Sequence, residues 1–301
     1  MATPTDPHLW SICTSFYFPR KLTIRSQKTR DRYRIAVSAL GRAIGHDPTK
    51  DDLNDDNLTI MATDSLAAGL SPATINGNLA KLKTLQTWLA KRGLVPTFPT
   101  LDRLDVPEPT PLAWQWDEMR RLFRAGRQEQ GDIAGIPAGD WWFAWLNWLW
   151  NTSERYGASI ALRWDMLDLQ TAVASLPASI RKGRKKPAVY SLWPETVESL
   201  RAIAEPRREL VFPWPFCEGT YWYRYGRILK RAELPGGRKR KTQAMRVSHA
   251  TWRKFVGDDP TRALLHSDPA TTRRHYLDRT FDAHDQPRLP SPWMDEPPER
   301  G

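Results

Sequence analysis

Apolar side chains recur at three- and four-residue steps through Tyr33, Val37, Leu40 and Ile44, which predicts an amphipathic helix over residues 26–45. Asp47-Pro48 breaks it. The acidic stretch 51–57 leads into a second helix through Ala68. Ser71-Pro72 pairs a capping side chain with a first-turn proline and starts a third. Its stripe is Ile75, Leu79, Leu82, Leu85, Trp88 and Leu89, and Gly93 stands where it should stop. Residues 1–25, punctuated by Pro4, Pro7 and Pro19, read as an irregular segment. The pattern thus predicts a small helical domain over 26–105, then a Pro-rich linker over 106–111.

Beyond the linker, residues 117–125 carry a helical pattern, and Trp141, Trp145 and Trp148 fall at helical spacing. Such an aromatic stripe is read as core rather than as a binding box. The period then changes. Residues 171–180 and 187–193 alternate around a basic tip, as two strands of a hairpin do. Further helices are expected over 194–203, 220–232, 247–255 and 260–265. The fold class is therefore mainly α with a small antiparallel β-sheet, in a second domain over 112–280. Residues 281–301 form an acidic, Pro-rich tail. No internal repeat, P-loop or Gly-rich dinucleotide turn occurs.

Composition narrows the function classes. The 301 residues carry 45 Lys+Arg against 34 Asp+Glu, a net charge of +11, which calls for a polyanionic partner. No apolar run approaches the roughly 18 residues of a membrane span. No secretory signal pattern is seen, and Cys13 and Cys217 are too few for a disulfide framework or a Cys-rich zinc site. A cytoplasmic protein is expected. The charge is also unevenly placed: residues 1–108 hold only +3, whereas residues 181–254 hold +13. Two basic runs lie in that stretch, Arg181, Lys182, Arg184, Lys185, Lys186 and Arg238, Lys239, Arg240, Lys241. Both sit beside glycines with aromatics between them, a pattern suited to a phosphate backbone, to which Lys81 and Lys83 of the third helix are added as candidate contacts.

If the partner is nucleic acid, the basic region shows no carboxylate spacing suited to catalytic metal ions. A metal-free route to phosphodiester cleavage needs a protein nucleophile, cations for the transition-state charge and an acid for the leaving oxygen. Four separated pieces supply these. They are the Asn151–Ala158 run followed by Leu162-Arg163-Trp164-Asp165, the hairpin tip at Lys182, Gln243-Ala244-Met245-Arg246, and His266-Ser267-Asp268-Pro269 running to Thr271-Thr272 and Tyr276. With Ser71-Pro72-Ala73-Thr74-Ile75-Asn76, these segments resemble the tyrosine recombinases, the phage-integrase family, over residues 26–280.

The resemblance implies a helical core-binding domain joined to a catalytic domain. It implies Tyr276 as nucleophile, Arg155 and Arg246 gripping the non-bridging oxygens, Lys182 protonating the leaving 5′-oxygen and His266 assisting at the phosphate. Arg181, Arg184, Lys185 and Lys186 lie within a slip of the lysine position. It also implies duplex DNA carrying a specific site as partner, a homotetramer on two such sites, and no metal, cofactor or membrane. Two positions depart from the family pattern. Gln243 stands where a histidine or lysine is usual, and Ala158 where an acid usually follows the first arginine by three. These departures favour the alternative of a weakened or inactive DNA-binding relative. Singly, Arg155 reads as a salt-bridge partner of Glu154 or Asp165, His266 as a helix-end histidine and Tyr276 as a half-buried aromatic. It is their order and context that argue for chemistry.

Overall fold

The computed structural model describes residues 6–21, 26–107, 111–181, 186–236, 242–264, 269–277 and 293, without the side chains of Arg262, Arg274 and His275. The chain divides into two units, Met1–Pro107 and Glu108–Gly301.

Three capped helices frame the first unit. After α1 (Leu9–Ser11) and α2 (Phe18–Arg20), α3 (Gln27–Ile44) opens on Ser26, whose hydroxyl accepts the Thr29 amide at 3.2 Å. It closes on Gly45, at φ +80°, a left-handed conformation that favours glycine. Helix α4 (Asp55–Ala67) is capped by Asn54 and α5 (Pro72–Ala90) by Ser71, with Pro72 in its first turn. The stripe expected for α5 is buried, together with Tyr33, Val37 and Leu40 of α3 and Leu58 and Met61 of α4.

Within the segment expected to be irregular, residues 9–20 are instead helical and part of this core. Between α1 and α2 runs a π-helical stretch, Ile12–Tyr17. Leu9, Ile12, Cys13, Phe16, Tyr17 and Phe18 are buried, and the Tyr17 and Tyr33 hydroxyls meet at 3.0 Å. The wider π-turn places these side chains together while hiding them from a 3.6-residue period. Pro19 sits where the π-helical stretch passes into α2, in a helical run unbroken from Leu9 to Arg20.

The second unit is built around one helix. After α6 (Trp116–Arg127) and the two-stranded ribbon β1 (Asp132–Ile133) and β2 (Ile136–Pro137), α7 (Ala138–Thr152) is buried on nearly every side. A helix apolar all round must be enclosed, and α6, α9 (Pro194–Ala202) and α11 (Thr242–Phe255) pack against it. Three of its five tryptophans satisfy their indole N–H groups as they pack, whereas those of Trp142 and Trp150 are buried without a hydrogen-bond partner among the described residues. Trp141 donates to the Pro213 carbonyl (3.1 Å), Trp145 to the Tyr221 hydroxyl (2.9 Å) and Trp148 to Ser159 Oγ (3.0 Å).

Helix α8 (Tyr156–Ser159) follows, then an antiparallel sheet of β3 (Leu167–Asp168), β4 (Val173–Leu176) and β5 (Ala188–Ser191). Its register pairs Ala174 with Tyr190 and Leu176 with Ala188, so the buried positions alternate toward the core. This is the expected hairpin, and Asn151 at the end of α7 pins it by bonding the Ser191 carbonyl and the Trp193 amide. Helices α10 (Glu218–Arg231), α12 (Pro260–Ala263) and α13 (Pro269–Tyr276) complete the unit. Trp293 of the tail packs between Phe123 and Phe143 of the same chain, 4.9 Å from each ring.

Candidate active site

Helix α7 ends at Ser153, a non-glycine residue with φ +49°, a backbone setting that costs energy and is often kept where geometry matters. The turn sends Glu154 and Arg155 away from the helix axis. Ser153 offers its carbonyl to the Arg246 guanidinium. Glu154, 2% exposed, gathers three donors on its carboxylate: Arg181 Nε at 2.6 Å, the Tyr190 hydroxyl at 2.8 Å and the Arg155 amide at 2.9 Å. Burial alone would push this carboxyl up. The Tyr190 hydrogen bond, the Arg155 amide and the Arg181 charge outweigh it and hold Glu154 ionised, below the usual carboxylate range.

Arg155 itself is half-buried. Of the carboxylates near it in sequence, Asp165 pairs with Arg163 (2.6 Å) and Glu154 with Arg181, so neither forms an ion pair with Arg155 among the described residues. Arg246 lies one turn after Gln243 on α11, which places both side chains on one face. Helix α11 is fixed by Ser248, which accepts the Trp114 amide at 2.8 Å, and by Trp252, which donates to the Trp114 carbonyl at 3.0 Å. Burial lowers the Arg246 pKa, and the like charge of Arg155 lowers it further. A buried guanidinium thus feels the like charge of a half-buried one, and an anion bound by both would relieve that repulsion.

Tyr276 completes the cluster from the end of α13, packed on α11 and 8% exposed. Its ring lies 5.2 Å from the Arg246 guanidinium carbon. Burial works to raise the phenol. The Arg246 charge, a hydrogen bond with Gln243 and the Arg155 charge overcome that and hold it below the ordinary tyrosine value. Arg155, Gln243, Arg246 and Tyr276 are therefore brought together from three separate segments of the chain.

The remaining candidates divide. Lys182, Arg184, Lys185, Arg238, Lys239, Arg240, Lys241 and His266 lie outside the described residues. Arg181, expected at a DNA surface, is directed inward: besides Glu154 it bonds the Lys186 and Pro187 carbonyls at 3.1 and 3.3 Å. Lys186 is exposed. Lys83 donates to the Leu101 carbonyl and Lys81 stands 5.7 Å from the Tyr33 ring, so both make contacts within the first unit. Sequence reasoning had Glu154 only as a candidate ion-pair partner of Arg155, gave Ser153 no role and missed Tyr190. One signal was present: Glu154 follows a long uncharged run from Trp141, and a carboxylate there needs a buried partner.

No protein-family model matches the sequence, and no curated protein does. Solved structures do. A lambda integrase dimer bound to a COC′ core site superposes with a TM-score of 0.68 at 16% identity, covering 94% of this chain and 81% of that one. The chain has the tyrosine-recombinase fold. The Tn1549 transposon integrase in complex with circular intermediate DNA shares this fold with a TM-score of 0.66 at 15% identity, over 92% of this chain and 98% of that one. A lambda integrase tetramer bound to a Holliday junction does so at 0.63 and 16%, over 90% and 78%. Among the described residues of this recombinase fold, no group of three or more His, Cys, Asp or Glu side chains is placed to hold a metal ion. No described helix is long and apolar enough to cross a membrane.

Proposed function

We propose that this chain is a site-specific DNA recombinase that breaks and rejoins duplex DNA through a phosphotyrosyl intermediate. One observation carries the reading: the Tyr276 phenol is held by Arg246 and Gln243 beside Arg155, in a setting that favours its anion. A phenol near pKa 10 is a poor nucleophile at neutral pH, and two guanidinium groups are suited to bidentate phosphate contact. In the proposed step, the Tyr276 phenol gives its proton to water and the phenolate oxygen attacks the scissile phosphorus. Arg155 and Arg246 bear the charge of the five-coordinate state. The bond from phosphorus to the 5′-oxygen breaks as Lys182 delivers a proton to that oxygen, with His266 assisting at the phosphate. A 3′-phosphotyrosyl link and a free 5′-hydroxyl result. The new ester retains the phosphodiester energy, so rejoining reverses the step without ATP.

Lys186 and the basic runs would contact the phosphate backbone. Two duplex sites would be held by four copies of the chain, and the protein would work in the cytoplasm, nucleoid-associated through DNA. The second reading, a DNA-binding relative without activity, is favoured by Gln243 and Ala158: glutamine donates a hydrogen bond but carries no proton between groups. A library of nicked duplexes, randomised around the nick, separates the two. A detergent-stable protein–DNA adduct that Tyr276→Phe abolishes supports the recombinase. Salt-sensitive duplex binding without any adduct supports the relative.

A further inference from the structure

Ala158 leaves the arginine cluster without an acid at the position where the resemblance would place one, yet the cluster has a buried carboxylate from the other side, Glu154. Its two oxygens face different parts of the unit. Oε2 accepts the Arg155 amide, on the strand of chain that carries the first arginine. Oε1 accepts Arg181 Nε and the Tyr190 hydroxyl, one from each limb of the β4–β5 hairpin. Arg181 in turn bonds the Lys186 and Pro187 carbonyls, which ties the two ends of the basic tip to each other. Lys182 follows Arg181 directly in the chain.

We propose that Glu154 is a positioning residue that holds the base of the basic hairpin to the backbone of Arg155, taking over the support that the acid missing at position 158 would give, so that an acid carried on that hairpin depends on it. The assignment rests on the recombinase reading above and adds a residue to it. The physical reason is rigidity. A charged acceptor with three fixed donors has one low-energy arrangement, so the base of the hairpin is held to the backbone of Arg155 through a single side chain.

The leaving group provides the test. Two nicked duplexes are compared, identical except that the scissile 5′-bridging atom is oxygen in one and sulfur in the other. A thiolate leaves without a proton, so only the oxygen substrate depends on a well-placed acid. Glu154→Gln is expected to cut adduct formation roughly 100-fold on the oxygen substrate, the size of a general-acid contribution. On the sulfur substrate it should stay within about threefold of wild type. Lys182→Ala should show the same pattern, and Arg181→Gln combined with Glu154→Gln should add little, because the two act through one contact. Equal losses on both substrates, or no loss on either, overturn the assignment. If Glu154→Gln does not fold, Tyr190→Phe and Arg181→Lys remove or weaken its donors one at a time, and the same dependence on the bridging atom is required. Wild type forming no adduct on either substrate overturns the recombinase reading itself.

Discussion

The Arg246 guanidinium faces the Tyr276 ring, 5.2 Å from its centre, although the two residues come from different helices, thirty positions apart in the chain. Gln243, one turn earlier on α11, bonds the same phenol. Elsewhere in the unit, half-buried Tyr190 and buried Tyr225 have their phenols pushed well above the usual value by burial. Tyr276 is held below it because two cations and a donor outweigh burial.

That difference has a sign in the pH profile. A lowered phenol pKa means more phenolate at a given pH, so adduct formation should rise with pH and level off below the ordinary tyrosine value of about 10. Gln243→Ala removes one donor to the anion. The rise should then move to higher pH, and the rate near neutrality should fall by roughly 3- to 10-fold, as for loss of one hydrogen bond. Single-turnover adduct formation across the neutral to alkaline range checks this, and an unmoved profile rejects it.

His249 gives a separate pH effect, on stability. It is fully buried, bonds the Trp150 carbonyl and stacks beside Trp193. Burial, with the nearby Arg253 charge, depresses its pKa to about 3. The unfolded chain takes up a proton on this group below about pH 6.5, whereas the folded unit refuses it. Stability should therefore fall on acidification from there toward pH 3, by about 1.4 kcal/mol per pH unit from this group. His249→Asn keeps a donor for the Trp150 carbonyl and loses the titration. Urea unfolding at neutral and mildly acid pH should show a shallower acid loss in that variant than in wild type.

Close packing at the start of α7 predicts an asymmetry between two glycines. A Cβ at Gly139 would lie 2.2 Å from the Arg127 carbonyl oxygen, a backbone atom that cannot turn aside. At Gly126 it would meet the end of the Leu146 side chain at 2.7 Å, which can rotate. Gly139→Ala should lower the melting temperature by on the order of 5 °C or more, and Gly126→Ala by clearly less. Equal losses would show that α7 shifts as a body to make room.

Trp293 packs on Phe123 and Phe143 and, with Arg127 and Glu198, lines a cavity of about 470 Å³. Two aromatic contacts of this kind are worth about 0.5–1.5 kcal/mol each. Trp293→Ala should therefore speed tryptic cleavage after Arg288 by roughly tenfold. Because the contact is made within one chain, protection in wild type should not change on dilution. Protection lost on dilution would instead place the tryptophan on a neighbouring copy.

Local signals carried much of this fold. Ser26, Ser71-Pro72 and Gly45 bound helices because capping and left-handed backbone are properties of a few adjacent residues. The hairpin around the basic tip was legible for a similar reason, its alternation spanning two short neighbouring runs. The segment 6–21 was not. Its apolar residues follow a π-turn rather than a helical period, and Pro19 resembles a breaker although the helical run continues through it. The start of α11 also lay earlier than the apolar pattern suggested, which is why Gln243 and Arg246 share a helical face.

The candidate site divides along the same line. The residue types, their order and the concentration of +13 in residues 181–254 are properties of the sequence, and they suffice to suggest a phosphate-handling protein. The partner of each charge is not. Glu154 adjoins Arg155 yet pairs with Arg181, twenty-seven positions away, because the turn at Ser153 and the register of β4 and β5 bring that guanidinium to it. Sequence determined which groups were available. Only tertiary structure decided which of them meet, since an electrostatic contact depends on distance and burial in space and not on separation along the chain.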